Sequence, residues 1–126
     1  MNTSNRLDSI RVLVVDDDPD IRELIVIALE SEGAEIATAE DGNQAITALR
    51  SAPPQLVVLD MMLPHRSGFL VMEEIQSMSP PPPVIMVTAN EGRRHKAYAE
   101  SLGVSAYLNK PVPMSLLLDT AVDVLQ

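Results

Sequence analysis

Gln55-Leu-Val-Val-Leu-Asp60-Met-Met-Leu-Pro64 decides how this chain is read. Four apolar residues, two of them β-branched, run straight into one aspartate, with Pro53-Pro54 before them and Pro64 after. A short apolar run between such breakers is a strand buried on both faces. Asp60 then stands at the carboxyl edge of a sheet, where open α/β sheets bind their ligands. An ionised carboxylate on a buried strand is costly without a partner. The rest of the fold must supply one.

The chain has 126 residues, one ordinary domain, which buries roughly two thirds of the surface its unfolded chain exposes. Hydrophobic residues make up 46% and aromatic residues only 2%, so the core is expected to be Val, Leu, Ile, Met and Ala. The absence of cysteine excludes disulfides, thiolate metal sites and cysteine nucleophiles. A net charge of -9 argues against direct nucleic-acid binding by this domain. No apolar run approaches the ~18 residues needed to span a bilayer, and the first nine residues carry no signal-peptide apolar segment. Residues 1–9 read as a flexible N-terminal tail ahead of one domain over 10–126, in a soluble, cytoplasmic protein with no membrane partner.

Working outward, Ile10-Arg-Val-Leu-Val-Val15 is another strand by β-branched density, and it too ends in acid, Asp16-Asp17-Asp18. Asp18 fits a helix N-cap with Pro19 at the first helical position. Ile21, Leu24, Ile25, Ala28 and Leu29 then recur at helical spacing, with Gly33 as the stop. Glu35 to Ala39 alternates as an edge strand. Asp41-Gly42 opens a second helix, with Ala45, Ile46 and Leu49 inward, ended by Pro53-Pro54.

Beyond the opening strand, Ser67 can cap a helix over Phe69 to Met78. The four prolines after Ser79 favour a stiff polyproline II connector. Val84-Ile-Met-Val-Thr88 is a further buried strand, Glu91 to Leu102 a helix closed by Gly103, and Ala106-Tyr-Leu108 a short strand. Asn109-Lys110-Pro111 leads to a last helix over Met114 to Leu125. Five alternations of strand and helix with short connections predict a doubly wound α/β domain, a parallel sheet with helices on both faces.

Asp16 and Asp17 after the first strand and Asp60 after the third converge if those strands are neighbours. Carboxylates that close raise each other's pKa and oppose folding unless a cation lies among them. Oxygen ligands without His or Cys select a hard cation, Mg²⁺ above others. Thr88 ends the fourth strand and Lys110 follows the fifth, bringing a hydroxyl and an ammonium to the same edge. Three carboxylates balance Mg²⁺ plus Lys110. Such a set suits phosphoryl transfer to Asp60, because a carboxylate is a competent nucleophile and positive groups neutralise the phosphoryl oxygens. Taken alone, the acidic run would be a solvated cap and Lys110 a surface lysine.

From about Ile10 to Leu125 the chain resembles the response-regulator receiver domains of two-component signalling. The resemblance is carried by Val-Val-Asp16-Asp17, by Leu-Asp60-Met-Met-Leu-Pro64 with Gly68 closing that loop, by Val-Thr88-Ala89, and by Tyr107 and Lys110-Pro111. It implies a flavodoxin-like fold with strand order 2-1-3-4-5, and Asp60 as phosphoacceptor. It also implies Mg²⁺ held by Asp17, Asp60 and the backbone carbonyl of Met62, with Asp16 acting through water. A histidine kinase or histidine phosphotransfer protein would be the donor. Thr88, Ala89 and Lys110 would hold the phosphoryl group, and Met62 and Asn90 would tune its hydrolysis. Tyr107, otherwise a core filler, would rotate as Thr88 is drawn inward and remodel the face of the fourth helix, fifth strand and fifth helix. That face would control an output domain or partner, a phosphorylation-linked homodimer included.

Ser67, Val112 and Pro113 depart from the family pattern at partner-facing positions. Met62 cannot orient a water, which predicts a long-lived phosphoryl group. A metal-dependent hydrolase with an aspartate nucleophile is the enzyme rival, disfavoured because Met62 stands where its second acid belongs. A pseudo-receiver is disfavoured because the chemical residues are intact. On the receiver reading the chain modifies only itself and is not a turnover enzyme. Arg93-Arg94-His95-Lys96 is the one basic cluster, a solvated helix face or a partner patch, and His65 and His95 lack ligand-spaced neighbours. The bare end at Leu125-Gln126 leans toward a receiver cut from a longer protein.

Overall fold

Five strand–helix pairs follow one another in the computed structural model, which describes residues 5–63, 67–89 and 93–126. The strands are β1 (Arg11–Val15), β2 (Glu35–Ala39), β3 (Leu56–Leu59), β4 (Val84–Thr88) and β5 (Ala106–Asn109). The helices are α1 (Pro19–Glu30), α2 (Gly42–Ser51), α3 (Gly68–Gln76), α4 (Arg93–Ser101) and α5 (Met114–Val124). All strand pairs are parallel, in the order β2-β1-β3-β4-β5. The doubly wound architecture and its order are as the sequence implied.

Side chains alternate across a strand, so the three central strands serve two cores at once. Leu13, Val15, Val57, Leu59, Val84 and Met86 pack with residues of α2, α3 and α4. Val12, Val14, Leu56, Val58, Ile85 and Val87 pack on the other face with residues of α1 and α5. The largest fully buried side chains are all Leu, Ile or Met. An aliphatic core is what the scarcity of aromatics required.

The helix starts follow the capping residues. Asp18 accepts from the N–H groups of Asp20 and Ile21, with Pro19 next in line. Asp41 accepts from Gln44 N–H at 2.8 Å, and Ser67 from Leu70 N–H at 3.3 Å. Pro113 is itself the N-cap of α5, directly before the helix that begins at Met114. The proline connector forms no regular element, and Pro83 O accepts from Val57 N–H to join the sheet. Glu91, expected to begin α4, lies outside the described residues.

Two expectations are corrected. The flexible tail does not extend to residue 9: Leu7 is fully buried, its N–H donates to Glu32 O, and Ser9 N–H donates to Gly33 O. Gly33 has φ +93°, and a Cβ there would lie 2.9 Å from Asp8 Cα, so the turn after α1 is shaped around this segment. Burial of one leucine in a polar run outweighs the local composition. Leu24, assigned to the inner face of α1, is 57% exposed. It lies at the margin of the apolar stripe, beside the groove between α1 and α5.

Candidate functional site

Parallel pairing sends the ends of β1, β3, β4 and β5 to one edge, and the acids are extensions of that pairing. Val15 is in register with Leu59, Asp60 N–H donates to Val15 O at 3.0 Å, and Asp16 N–H donates to Ala39 O at 3.1 Å. Asp16 and Asp60 are thereby held side by side and buried, whereas Asp17 is exposed. One carboxylate oxygen from each of the three lies within 4.8 Å of the others.

Lys110 reaches them from the far side of β4. Its N–H donates to Thr88 O at 2.9 Å, and its Nζ lies 2.9 Å from Asp16 Oδ2 and 3.2 Å from Asp60 Oδ2. The remaining oxygens meet backbone: Asp16 Oδ1 accepts from Asp18 N–H at 2.9 Å, and Asp60 Oδ1 from Met62 N–H at 3.1 Å. Burial pushes the Asp60 carboxyl above the ordinary carboxylate range, with Met62 N–H and Lys110 acting against it and Asp16 adding to it. For Lys110 burial opposes the charge, but the bonds and charges of Asp16 and Asp60 together raise its pKa.

Thr88 is fully buried at the end of β4, and Ala89 after it is exposed. Tyr107 is half-buried on β5 in register with Met86, and desolvation raises its phenol. Met62 is 61% exposed. Gly68 packs against the backbone of the phosphoacceptor candidate itself. A Cβ on Gly68 would lie 2.6 Å from Asp60 O and 2.7 Å from Met61 Cα. Pro111 follows Lys110 through a cis peptide bond. Pro64, His65 and Asn90, all singled out from the sequence, lie outside the described residues. Arg93, Arg94, His95 and Lys96 are exposed on α4, with the His95 ring parallel to Phe69 at 6.4 Å.

One contact was missed from the sequence. Arg22 Nη1 donates to Asp16 O at 2.8 Å, and Arg22 Nη2 lies 3.7 Å from Glu40 Oε1. Side chains on a helix tilt toward its N-terminus, so a long cation in the first turn reaches back over the preceding loop. That was the available signal.

The donor set is oxygen alone. Lys110 cancels one of three negative charges, leaving two, and hard divalent cations prefer such carboxylate clusters. The residues therefore fit Mg²⁺, the cation that receiver domains bind at their acidic pocket. Among the described residues no helix is long and apolar enough to cross a membrane.

Residues 12–122 match the response regulator receiver domain family. The chain is 41% identical over 102 residues to the probable transcriptional regulatory protein TcrX of Mycobacterium tuberculosis, covering 81% of this chain and 44% of that protein. It is 40% identical over 101 residues to the DNA-binding response regulator MtrA of Mycolicibacterium smegmatis, covering 80% and 44%. The chain thus spans less than half the length of these curated relatives. Among solved structures, a CheY-like response regulator receiver domain protein from Methanospirillum hungatei superposes with a TM-score of 0.89 at 28% identity, covering 94% of each chain. The chemotaxis protein CheY4 of Vibrio cholerae gives 0.87 at 28% identity, covering 93% of this chain and 99% of that one. The chain belongs to the response-regulator receiver domains, the phosphorylation-dependent signalling modules of two-component systems.

Proposed function

We propose that Asp60 accepts a phosphoryl group from the phosphohistidine of a histidine kinase or histidine phosphotransfer protein. The observation that carries this reading is Lys110 Nζ between two buried carboxylates, 2.9 Å from Asp16 and 3.2 Å from Asp60, with exposed Asp17 beside them. An Asp60 oxygen attacks phosphorus as the N–P bond to the donor imidazole breaks, and the ring nitrogen keeps the electron pair. Lys110, already at the nucleophile, neutralises charge on the transferred oxygens, while the Thr88 hydroxyl and the Ala89 N–H donate to them.

Asp17, Asp60 and the Met62 carbonyl would hold Mg²⁺, with Asp16 acting through water. When bound, the cation supplies Lewis-acid neutralisation of phosphoryl charge. Gly68, Pro64 and Pro111 shape the loops around the site, and Met62 and Asn90 set how readily water reaches it. The apolar groove of Ile21, Leu24, Val112 and Met114 beside Lys110 supports docking of the donor's apolar side chains at this edge.

The phosphoryl group favours a state in which Thr88 moves toward it and Tyr107 turns inward, shifting the population of the α4–β5–α5 face. An output domain or partner reads that face, through DNA-binding regulation of the kind its relatives' names describe or through a phosphorylation-linked homodimer. The chain modifies itself and turns over no other substrate. Incubation with acetyl phosphate and Mg²⁺ tests this by intact mass: one phosphoryl group is gained, and Asp60→Asn gains none. No gain in wild type, or an equal gain in the variant, overturns the reading.

A further inference from the structure

Asp17 is the one acid of the site with an exposed carboxylate, and among the described residues that carboxylate makes no hydrogen bond or ion pair. With no side-chain partner of its own, its placement is constrained only through its backbone, which fixes where its Cβ starts. Asp16, just before it, is pinned on every polar group: N–H to Ala39 O at 3.1 Å, Oδ1 to Asp18 N–H at 2.9 Å, Oδ2 to Lys110 at 2.9 Å, and the carbonyl to Arg22 Nη1 at 2.8 Å. The Asp16 carbonyl and the Asp17 N–H belong to one planar peptide unit. The bond from Arg22 thus fixes the plane through which the chain enters Asp17.

Arg22 is well placed to act as a fixed strut. Its backbone N–H donates to Asp18 O at 2.9 Å in the first turn of α1. Its side chain is only 18% exposed, and its second terminal nitrogen faces Glu40, after β2, at 3.7 Å. Glu40 N–H in turn donates to Gln44 Oε1 at 2.9 Å. One guanidinium therefore ties the loop after β1 to the loop after β2.

We infer that Arg22 is a positioning residue for the cation site: it holds the Asp16–Asp17 peptide so that the Asp17 carboxylate meets Mg²⁺ together with Asp60. The inference rests on the reading of Asp17 and Asp60 as Mg²⁺ ligands. Charge and geometry make opposite demands here. As a positive charge near three carboxylates, Arg22 repels Mg²⁺, so electrostatics alone would have its removal tighten binding. Positioning demands the reverse: the freed peptide lets Asp17 turn away, and Mg²⁺ binds more weakly by about tenfold, as for other groups that orient metal ligands. Arg22→Lys retains the charge but not the fork that spans the Asp16 carbonyl and Glu40.

Calorimetric Mg²⁺ titration at fixed ionic strength, with urea unfolding in EDTA alongside, decides between them. Arg22→Ala and Arg22→Lys are expected to weaken Mg²⁺ binding by about tenfold, and Glu40→Gln by less, in protein that the unfolding curves show to be folded. Arg22→Gln keeps most of the packing and gives the same decision where the alanine variant does not fold. Equal or tighter binding after loss of the guanidinium overturns the inference, and so does wild-type binding by Arg22→Lys. Absence of Mg²⁺ binding in wild type overturns instead the ligand reading beneath it.

Discussion

Lys110 Nζ lies 3.2 Å from Asp60 Oδ2, reached from the loop after β5, two strands away from β3 in the sheet. The same ammonium meets Asp16, so one cation compensates two buried anions. Lys110→Ala leaves both without it, and removing one partner of a buried ion pair costs about 3 kcal/mol. The urea midpoint in EDTA is expected to fall accordingly, and added Mg²⁺ to restore part of the loss. A variant as stable as wild type in EDTA would show that the ammonium does not compensate these acids.

Asp60 gives the metal-free protein a pH dependence of definite sign. Burial, the leading cause, holds its carboxyl above the ordinary value of 3.8. The folded state therefore binds this proton more tightly than the unfolded chain. Its contribution to stability is fully present below the unfolded pKa and is lost as pH rises through the folded one. Asp60→Asn keeps an acceptor for Met62 N–H and removes the charge. In EDTA it is expected to be more stable than wild type at neutral pH, with the difference closing as pH falls toward about 4. Urea midpoints across that range check the slope.

Gly68→Ala introduces a methyl group 2.6 Å from Asp60 O. Backbone rather than a pliant side chain stands in the way, so either α3 or the turn after β3 must shift. A cost of about 1–3 kcal/mol is expected from such overpacking. Phosphorylation by acetyl phosphate should slow as well, because the displaced backbone carries Asp60, the proposed nucleophile. Wild-type stability with slowed phosphorylation would still locate the contact at the site; no change in either would remove it.

Met62 is expected to lengthen the life of the phosphoryl group. Its thioether is a weak acceptor on an exposed side chain directly after Met61. Met62→Asn adds an amide able to hold a water, and several-fold faster loss of the phosphoryl mass is expected once the donor is removed. An unchanged decay rate would exclude a part for this position.

Much of the fold was legible because its signals are local. Apolar runs end at Asp16, Asp60 and Thr88, and Asp18, Asp41 and Ser67 announce helices. The grouping of Asp16, Asp60 and Lys110 followed once the strands were made parallel. What escaped depends on neighbours. Helical spacing names an apolar face without saying how far the next element covers it, which is why Leu24 is exposed while Ile25 is not. Leu7 sits in a polar run with no periodicity, and Arg22 has the composition of any helix-surface cation. Only the assembled loops give those two residues their contacts.

Leu7 shares its apolar cluster with Leu117 and Ala121 of α5. Arg6 beside it bonds Asp119 across 113 positions of sequence. That ion pair is solvent-exposed on both sides and worth little by itself; the leucine is the fastening. The segment before β1 and the helix α5 are consequently joined like the two halves of a buckle. A version trimmed to begin at Ile10 would open the buckle, and Leu117 and Ala121 of α5 would lose the leucine that backs them.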